Sequence, residues 1–454
     1  MGLNQVRLGR GTAALAAVLF SFVLSSAAHA NGAFPDEFSV HFPAPTPHRM
    51  YIGANFGLLV SEDDGATWRY ACEPWITAMS NAALSGANVS FYQVTADGST
   101  IAQAVQVTRS GDDACTWPIS GGQISGQVVT DLFPDPNDAS FVVAIVAVTT
   151  GSYLVASHDG GQDFAGPALY QTNDLLTAVE ISRSTPGVIY ATSIALNGTG
   201  SNLIKSTDSG ATWTTTLIPT DAATQPLILA IDQVDSNTVY LRIVGALTDS
   251  VVVTKDGGQT FQTLITINGQ FSSFLRATDG TLYAGSLDGV LYVLPPGATE
   301  FTSHAAPHFR CLGQRPGTAR IFACGDMVRD GFSLGYSDDD GGTFTRMMSF
   351  TDLQGPLTCP PVANNCVAHW ARIQEVLGIS DAGTGPGGSD GGSAGPDGGP
   401  AAPDAGPGGS DAGPVPTTPK SSSCASAPAS PALALAALVL ALLWTFRGRS
   451  QKRR

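Results

Sequence analysis

Carboxylates are the side chains this sequence holds in numbers sufficient for chemistry: 37 Asp and Glu stand against 22 Lys and Arg, a formal charge of −15. Two carboxyls facing each other across a cleft can hydrolyse a glycosidic bond, one as acid and the other as base or nucleophile. Between residues 45 and 350 the glutamates are Glu62, Glu73, Glu180 and Glu300, and the aspartates outside recurring turn segments include Asp97, Asp131, Asp232 and Asp326. No motif singles any of them out. The acidic run Asp338-Asp339-Asp340 lacks the ligand spacing of a calcium loop. H-E-x-x-H and phosphate-loop signatures are absent, and the G-x-S-x-G matches at Ser333, Ser389 and Ser393 lie in strand-and-turn or Gly-rich sequence with no following helix to make a nucleophile elbow. The expectation is therefore no metal and no cofactor. An acidic chain without a dense basic stripe ahead of its extreme C-terminus repels a phosphate backbone, so nucleic acid is excluded as a partner.

Most remaining aspartates belong to an internal repeat. Ser61-Glu62-Asp63-Asp64-Gly65-Ala66-Thr67-Trp68 returns as Ser206-Thr207-Asp208-Ser209-Gly210-Ala211-Thr212-Trp213 and as Ser337-Asp338-Asp339-Asp340-Gly341-Gly342-Thr343-Phe344. Related copies centre on Asp159 with Gly161, and on Asp256 with Gly258. The shared pattern is S/T-x-D-x-G-x-T-W/F. It reads as a hairpin turn: the Asp side chain bonds to backbone N–H groups, the Gly takes a positive φ, and the aromatic begins the next strand. Two weaker copies lie around Gly111 with Thr116-Trp117 and at Gly297-Ala298-Thr299 with Phe301, the latter preceded by Tyr283, Gly285, Gly289 and Val290 as the first is by Tyr51, Gly53, Gly57 and Leu58.

Between these turns lie β-branched and aromatic runs such as Phe141–Val146, Val188–Ala191, Thr238–Leu241 and Leu291–Val293, each of strand length. A turn every roughly 40 to 50 residues matches a four-stranded blade. The expected fold is all-β: one seven-bladed β-propeller over residues 31–350. A strand near Asp36–Phe42 is expected to complete the last blade, because mixing the termini removes an exposed edge. Residues 351–379 should form a segment with a helix through His369–Leu377 closed by Gly378.

The turn pattern resembles the Asp-box or BNR repeat family, found in sialidases, sortilin-type receptor domains, xyloglucan-degrading glycosidases and propeller assembly factors of photosynthetic membranes. The resemblance covers residues from about 40 to 350 and implies a propeller in which Asp63, Gly65, Trp68, Asp159, Gly161, Asp208, Gly210, Trp213, Asp256, Gly258, Asp339 and Gly341 shape turns. It does not choose between enzyme and binding protein. A sialidase would need an arginine cluster and an Arg-Ile-Pro segment ahead of the first turn; His48-Arg49-Met50 stands there instead. The expected function is a binding or scaffolding module, a monomer that recognises an extracellular polysaccharide or protein, with a two-carboxylate glycoside hydrolase as the alternative.

The ends of the chain give the address. Arg7 and Arg10, the apolar run Ala13–Leu24 and Ala28-His29-Ala30 have the layout of a secretory signal peptide over residues 1–30. In an oxidising compartment Cys72, Cys115, Cys311, Cys324, Cys359 and Cys366 are expected to form disulfides, and proximity along the chain or in neighbouring blades suggests Cys72–Cys115, Cys311–Cys324 and Cys359–Cys366. Residues 380–423 are rich in Gly, Pro, Ser and Asp and read as a flexible linker. Residues 424–454 hold Cys424, an apolar stretch over Ala429–Phe446 long enough for a short transmembrane helix, and Arg447, Arg449, Lys452, Arg453 and Arg454. Basic residues after the apolar stretch stay inside the cell and leave the propeller outside. This order is similar to the MYXO-CTERM sorting signal, which implies processing near Cys424 and attachment to the outer surface.

Overall fold

In the computed structural model, residues 37–78, 89, 91–196, 200–220 and 224–379 are described. The signal segment, Asn197-Gly198-Thr199, the linker, Cys424 and the C-terminal tail lie outside them.

Seven sheets follow one another in chain order. Blade 1 comprises Glu37–His41, Met50–Ala54, Gly57–Ser61 and Trp68–Cys72; blade 2, Phe91–Val94, Thr100–Gln103 and Val107–Ser110; blade 3, Val128–Pro134, Val142–Val148, Gly151–Ser157 and Tyr170–Thr172. Blade 4 holds Leu175–Ile181, Ile189–Ile194, Ser201–Ser206 and Thr214–Ile218; blade 5, Gln225–Ile231, Val239–Val244, Thr248–Thr254 and Gln262–Asn268. Blade 6 holds Phe271–Arg276, Leu282–Ser286, Val290–Leu294 and Thr302–Ala305; blade 7, Cys311–Gln314, Ile321–Cys324, Leu334–Ser337 and Thr345–Met348. Each blade's first strand packs beside the first strand of the next, and that of blade 7 packs beside Glu37–His41, which closes a seven-membered ring.

Burial explains the sequence of the second strands. They sit mid-sheet with a blade on either side, so both faces are covered, and Val142–Val146 is an unbroken apolar run with every residue fully buried. Five of the seven first strands instead carry a bulge: pairing slips at Phe38, Thr130, Thr177, Leu229 and Ser272. The extra residue bends the strand and strips backbone groups of ladder partners.

The turns follow the repeat. In blade 4, Ser206 Oγ donates to Asp208 Oδ1 (2.8 Å) and accepts the Gly210 N–H (2.8 Å), while Asp208 accepts the N–H and hydroxyl of Thr212. Trp213 Nε1 donates to the Gly210 carbonyl at 2.9 Å. The residue before the glycine is also left-handed, at Asp64, Ser209 and Asp340, which is why short polar residues or a second glycine precede it.

The structure corrects four expectations. The blade 2 turn is Ser110–Trp117, centred on Asp112: Ala114 occupies the glycine position with φ +67°, accepts Trp117 Nε1 through its carbonyl and donates its own N–H to Ser110 Oγ. Gly111 lies beside the turn's centre, and the missing glycine hid the register. The segment around Gly297 is a plain reverse turn closed by Ala298 N–H on the Pro295 carbonyl, without an Asp. Glu37–His41 is the innermost strand of blade 1 itself, paired with Met50–Ala54, and blade 7 has four strands of its own. Closure comes instead from the C-terminal side: Leu353–Pro356 lies parallel to Trp68–Cys72 as a fifth strand of blade 1.

The fourth correction concerns cysteines. After the fifth strand come α2 (Pro360–Asn365) and α3 (Val367–Leu377), the latter capped by Gly378 at φ +67° as the sequence suggests; α1 is the short Glu73–Ile76 turn after blade 1. The bonds are Cys72–Cys366, Cys115–Cys359 and Cys311–Cys324. Only the last agrees with pairing by proximity, across the first two strands of blade 7. The ring returns the chain's end to blades 1 and 2, so Cys359 and Cys366 reach partners 244 and 294 residues away.

Candidate functional site

Antiparallel strands fix what each end of the ring presents. One end carries the turns between first and second strands together with the S/T-x-D turns; the other carries the hairpins between second and third strands and the connections from blade to blade. Between the ends runs the wall of first strands.

The S/T-x-D end is occupied by structural bonds. Asp63, Asp159, Asp208, Asp256 and Asp339 each accept N–H groups of their own turn. Hydrogen bonds from the Thr212 side chain and backbone hold the Asp208 carboxyl below its ordinary range, and those from Thr343 and Ser337 bring Asp339 down to about 2. Asp338 pairs with Arg320 at 2.7 Å, so Asp338 and Asp339 serve different partners. Where the ring closes, Arg315 of blade 7 bonds Asp64 of blade 1, His48 bonds the same carboxylate, and Arg49 joins Glu62 to Asp113 of blade 2.

The carboxylates outside the turns come together only in part. Asp97 accepts Thr95 Oγ1 and the Ser99 N–H within a turn. Asp232 holds a turn at Val234 and pairs with Arg276 of blade 6 at 2.8 Å. Asp326 accepts the N–H groups of Val328 and Arg329. Glu62 faces Arg49, and Glu73 accepts the Val89 N–H at 3.0 Å, with burial pushing its carboxyl up to about 7.

Asp131 and Glu180 are different: they stand on adjacent first strands in the ring wall. Asp131 accepts the N–H of Leu132 at 2.9 Å and that of Val179, in blade 4, at 2.8 Å. Glu180 accepts the N–H of Ile231, in blade 5, at 3.1 Å. Both keep some surface, yet lie deep in the ring, and burial raises Asp131 to about 7 and Glu180 to about 8, the latter helped by the charge of Asp131. The neighbouring seams use the same device. Gln103 Nε2 donates to the Val129 carbonyl, Thr192 Oγ1 to the Pro226 carbonyl, and Asp249 accepts the Phe271 N–H. Asp131, Glu180, Gln103 and Asp249 each serve a backbone group within two residues of a bulge of the following blade, whereas the Pro226 carbonyl lies three residues from the bulge at Leu229.

This duty is what sequence reading missed. A lone Asp or Glu in an apolar strand resembles a catalytic carboxyl, and only the bulge in the next blade shows what it binds. His41, also in a first strand and partly buried, falls to about 4 by desolvation and is neutral.

The hairpin end holds a cleft of about 180 Å³ between blades 5 and 6, lined by Ile228, Leu229, Arg242, Phe271, Ser272, Ser273 and Phe274. The Arg242 guanidinium lies against the fully buried Asp249, with Nε to Oδ2 at 2.8 Å.

No protein-family model matches the chain, and no curated protein matches it. Among solved structures, a prolyl oligopeptidase B from Galerina marginata is similar over 70% of this chain and 50% of its own, at 10% identity and a TM-score of 0.50. A Niastella koreensis GH74 enzyme is similar over 59% and 46%, at 17% identity and 0.45, and YCF48 bound to D1 peptide over 48% and 68%, at 17% and 0.36. The chain thus spans about half the length of the oligopeptidase and of the GH74 enzyme it matches. At these identities the likeness is one of fold alone.

Proposed function

We propose that this chain is an exported protein held at the outer cell surface, whose propeller of Asp-box repeats binds or scaffolds a polysaccharide or protein and performs no chemistry. The observation that carries the reading is the use of Asp131 and Glu180. An acid and a base for glycoside hydrolysis must face substrate, whereas these two carboxyls accept hydrogen bonds from amides of the next blade. Three disulfides suit an oxidising compartment. Export itself rests on the signal-type N-terminus, and surface attachment on the likeness of residues 424–454 to a MYXO-CTERM tail.

Two measurements on protein from its native cells test this. Intact mass should give a chain beginning near Asn31 and ending near Cys424; a chain still ending in Arg453-Arg454 overturns the sorting reading. Incubation with xyloglucan should release no reducing sugar; release that disappears in Glu180→Gln overturns the non-enzymatic one.

A further inference from the structure

The two ends of the ring differ in what they leave to solvent. At the hairpin end stand Val105, Val148, Leu196, Leu217, Leu247 and Val328, contributed by blades 2, 3, 4, 5 and 7, with Leu247 83% and Val328 75% exposed. Single exposed aliphatics are ordinary on a protein surface. Their repetition at one end, in successive blades of a ring whose other end is occupied by hydrogen-bonded turns, is not. The cleft of about 180 Å³ lined by Ile228, Leu229, Phe271 and Phe274 together with Arg242, Ser272 and Ser273 opens in the same half of the ring.

Charge at this end narrows what could cover it. Lys205 and Lys255, the lysines of the described residues, both belong to the opposite end. Arg242 is paired with Asp249, while Arg310 and Arg329 both lie 3.8 Å from Asp326. Asp174 and Asp288 stand at the same end with no cation in ion-pair range among the described residues. The rim is therefore aliphatic with an acidic excess. A second copy would bring like charge to like charge. A polysaccharide is matched poorly as well, since among the described residues none of the strongly exposed large apolar side chains is aromatic and sugars stack on aromatic rings.

We infer that the hairpin end docks a protein partner whose contact surface combines aliphatic side chains with Lys or Arg. This rests on the binding-module reading above and names the partner class for it.

The test uses the purified full chain, oxidised, and two synthetic amphipathic peptides, one of Leu and Lys and one of Leu and Glu, followed by calorimetry. The Leu/Lys peptide should bind, and the triple variant Leu196→Ser, Leu247→Ser, Val328→Ser should weaken it by about tenfold or more. Val234→Ser, an equally exposed residue at the opposite end, should leave it unchanged, and all variants should melt as the parent does. Equal binding by parent and triple variant, equal affinity for the Leu/Glu peptide, or no peptide binding at all overturns the inference. Xyloglucan binding that the triple variant abolishes would also overturn it while leaving the binding-module reading intact, and xyloglucan hydrolysis would remove both.

Discussion

Asp131 reaches out of its own blade to accept a hydrogen bond from the Val179 N–H in the next, at 2.8 Å, and so brings its carboxyl beside Glu180. Two acids side by side in a ring wall hold their protons more tightly than in an unfolded chain.

The contribution of the Asp131–Glu180 pair to stability should fall as pH rises. A carboxyl whose folded-state pKa is raised contributes stability that is complete below its unfolded value, near 4, and is lost as pH climbs through the folded value. With Asp131 at about 7 and Glu180 at about 8, the loss lies between about pH 4 and pH 8. Glu180→Gln keeps an acceptor for the Ile231 N–H and cannot ionise. Its melting temperature should vary less over that range than the parent's; matching pH profiles would show that the pair does not titrate as described.

Ala114→Gly should stabilise the protein. Ala114 is left-handed at φ +67° where the other S/T-x-D turns have glycine, and a Cβ there costs on the order of 1 kcal/mol. Urea unfolding should show a higher midpoint with an unchanged slope. A lower midpoint would mean that extra freedom in the unfolded chain outweighs the relieved strain.

Gly210→Val should damage folding before any binding. The glycine has φ +90°, and a Cβ would come within 3.0 Å of Leu169 Cδ1. The expected cost is about 1 to 3 kcal/mol for forcing a branched side chain into that region. Asp208→Ala should act in the same direction by removing bonds to Ser206 and Thr212. Unchanged melting with lost binding would contradict a purely structural role.

The two long-range disulfides should be non-additive. Cys72–Cys366 and Cys115–Cys359 restrain overlapping loops, so removing either leaves most of the chain entropy still restricted by the other. The variant lacking both should lose more than the sum of the two single losses. Cys311–Cys324 closes a short loop and should contribute about 3 kcal/mol by itself. Additive losses in denaturant unfolding would overturn this.

Local order was legible in the sequence and closure was not. The Ser206–Trp213 turn is specified by contacts spanning four residues or fewer, and a strand such as Val142–Val148 by burial on both faces, so pattern suffices for each. The pairing of Gly53 with Ser39 and of Gly285 with Ser273 explains why these glycines matched: a Cβ at either would meet the serine Oγ and an aromatic ring of the next blade. Leu353–Pro356 and the bonds of Cys359 and Cys366 depend on where the seventh blade delivers the chain, which no local pattern encodes. The role of Asp131 depends likewise on a bulge some 48 residues away.

The clasp also decides how the ring meets traction. A pull applied at Gly378 can unwind α3, but Cys366 lies at that helix's start and is bonded to the fourth strand of blade 1. Tension then stops at a covalent link, with Cys115–Cys359 holding the second blade in parallel. Blade 7, whose outer strand Thr345–Met348 would otherwise peel first, lies outside the load path. Whatever drags on Gly378 loads the first blade in the chain rather than the last, and the ring stays shut under that load.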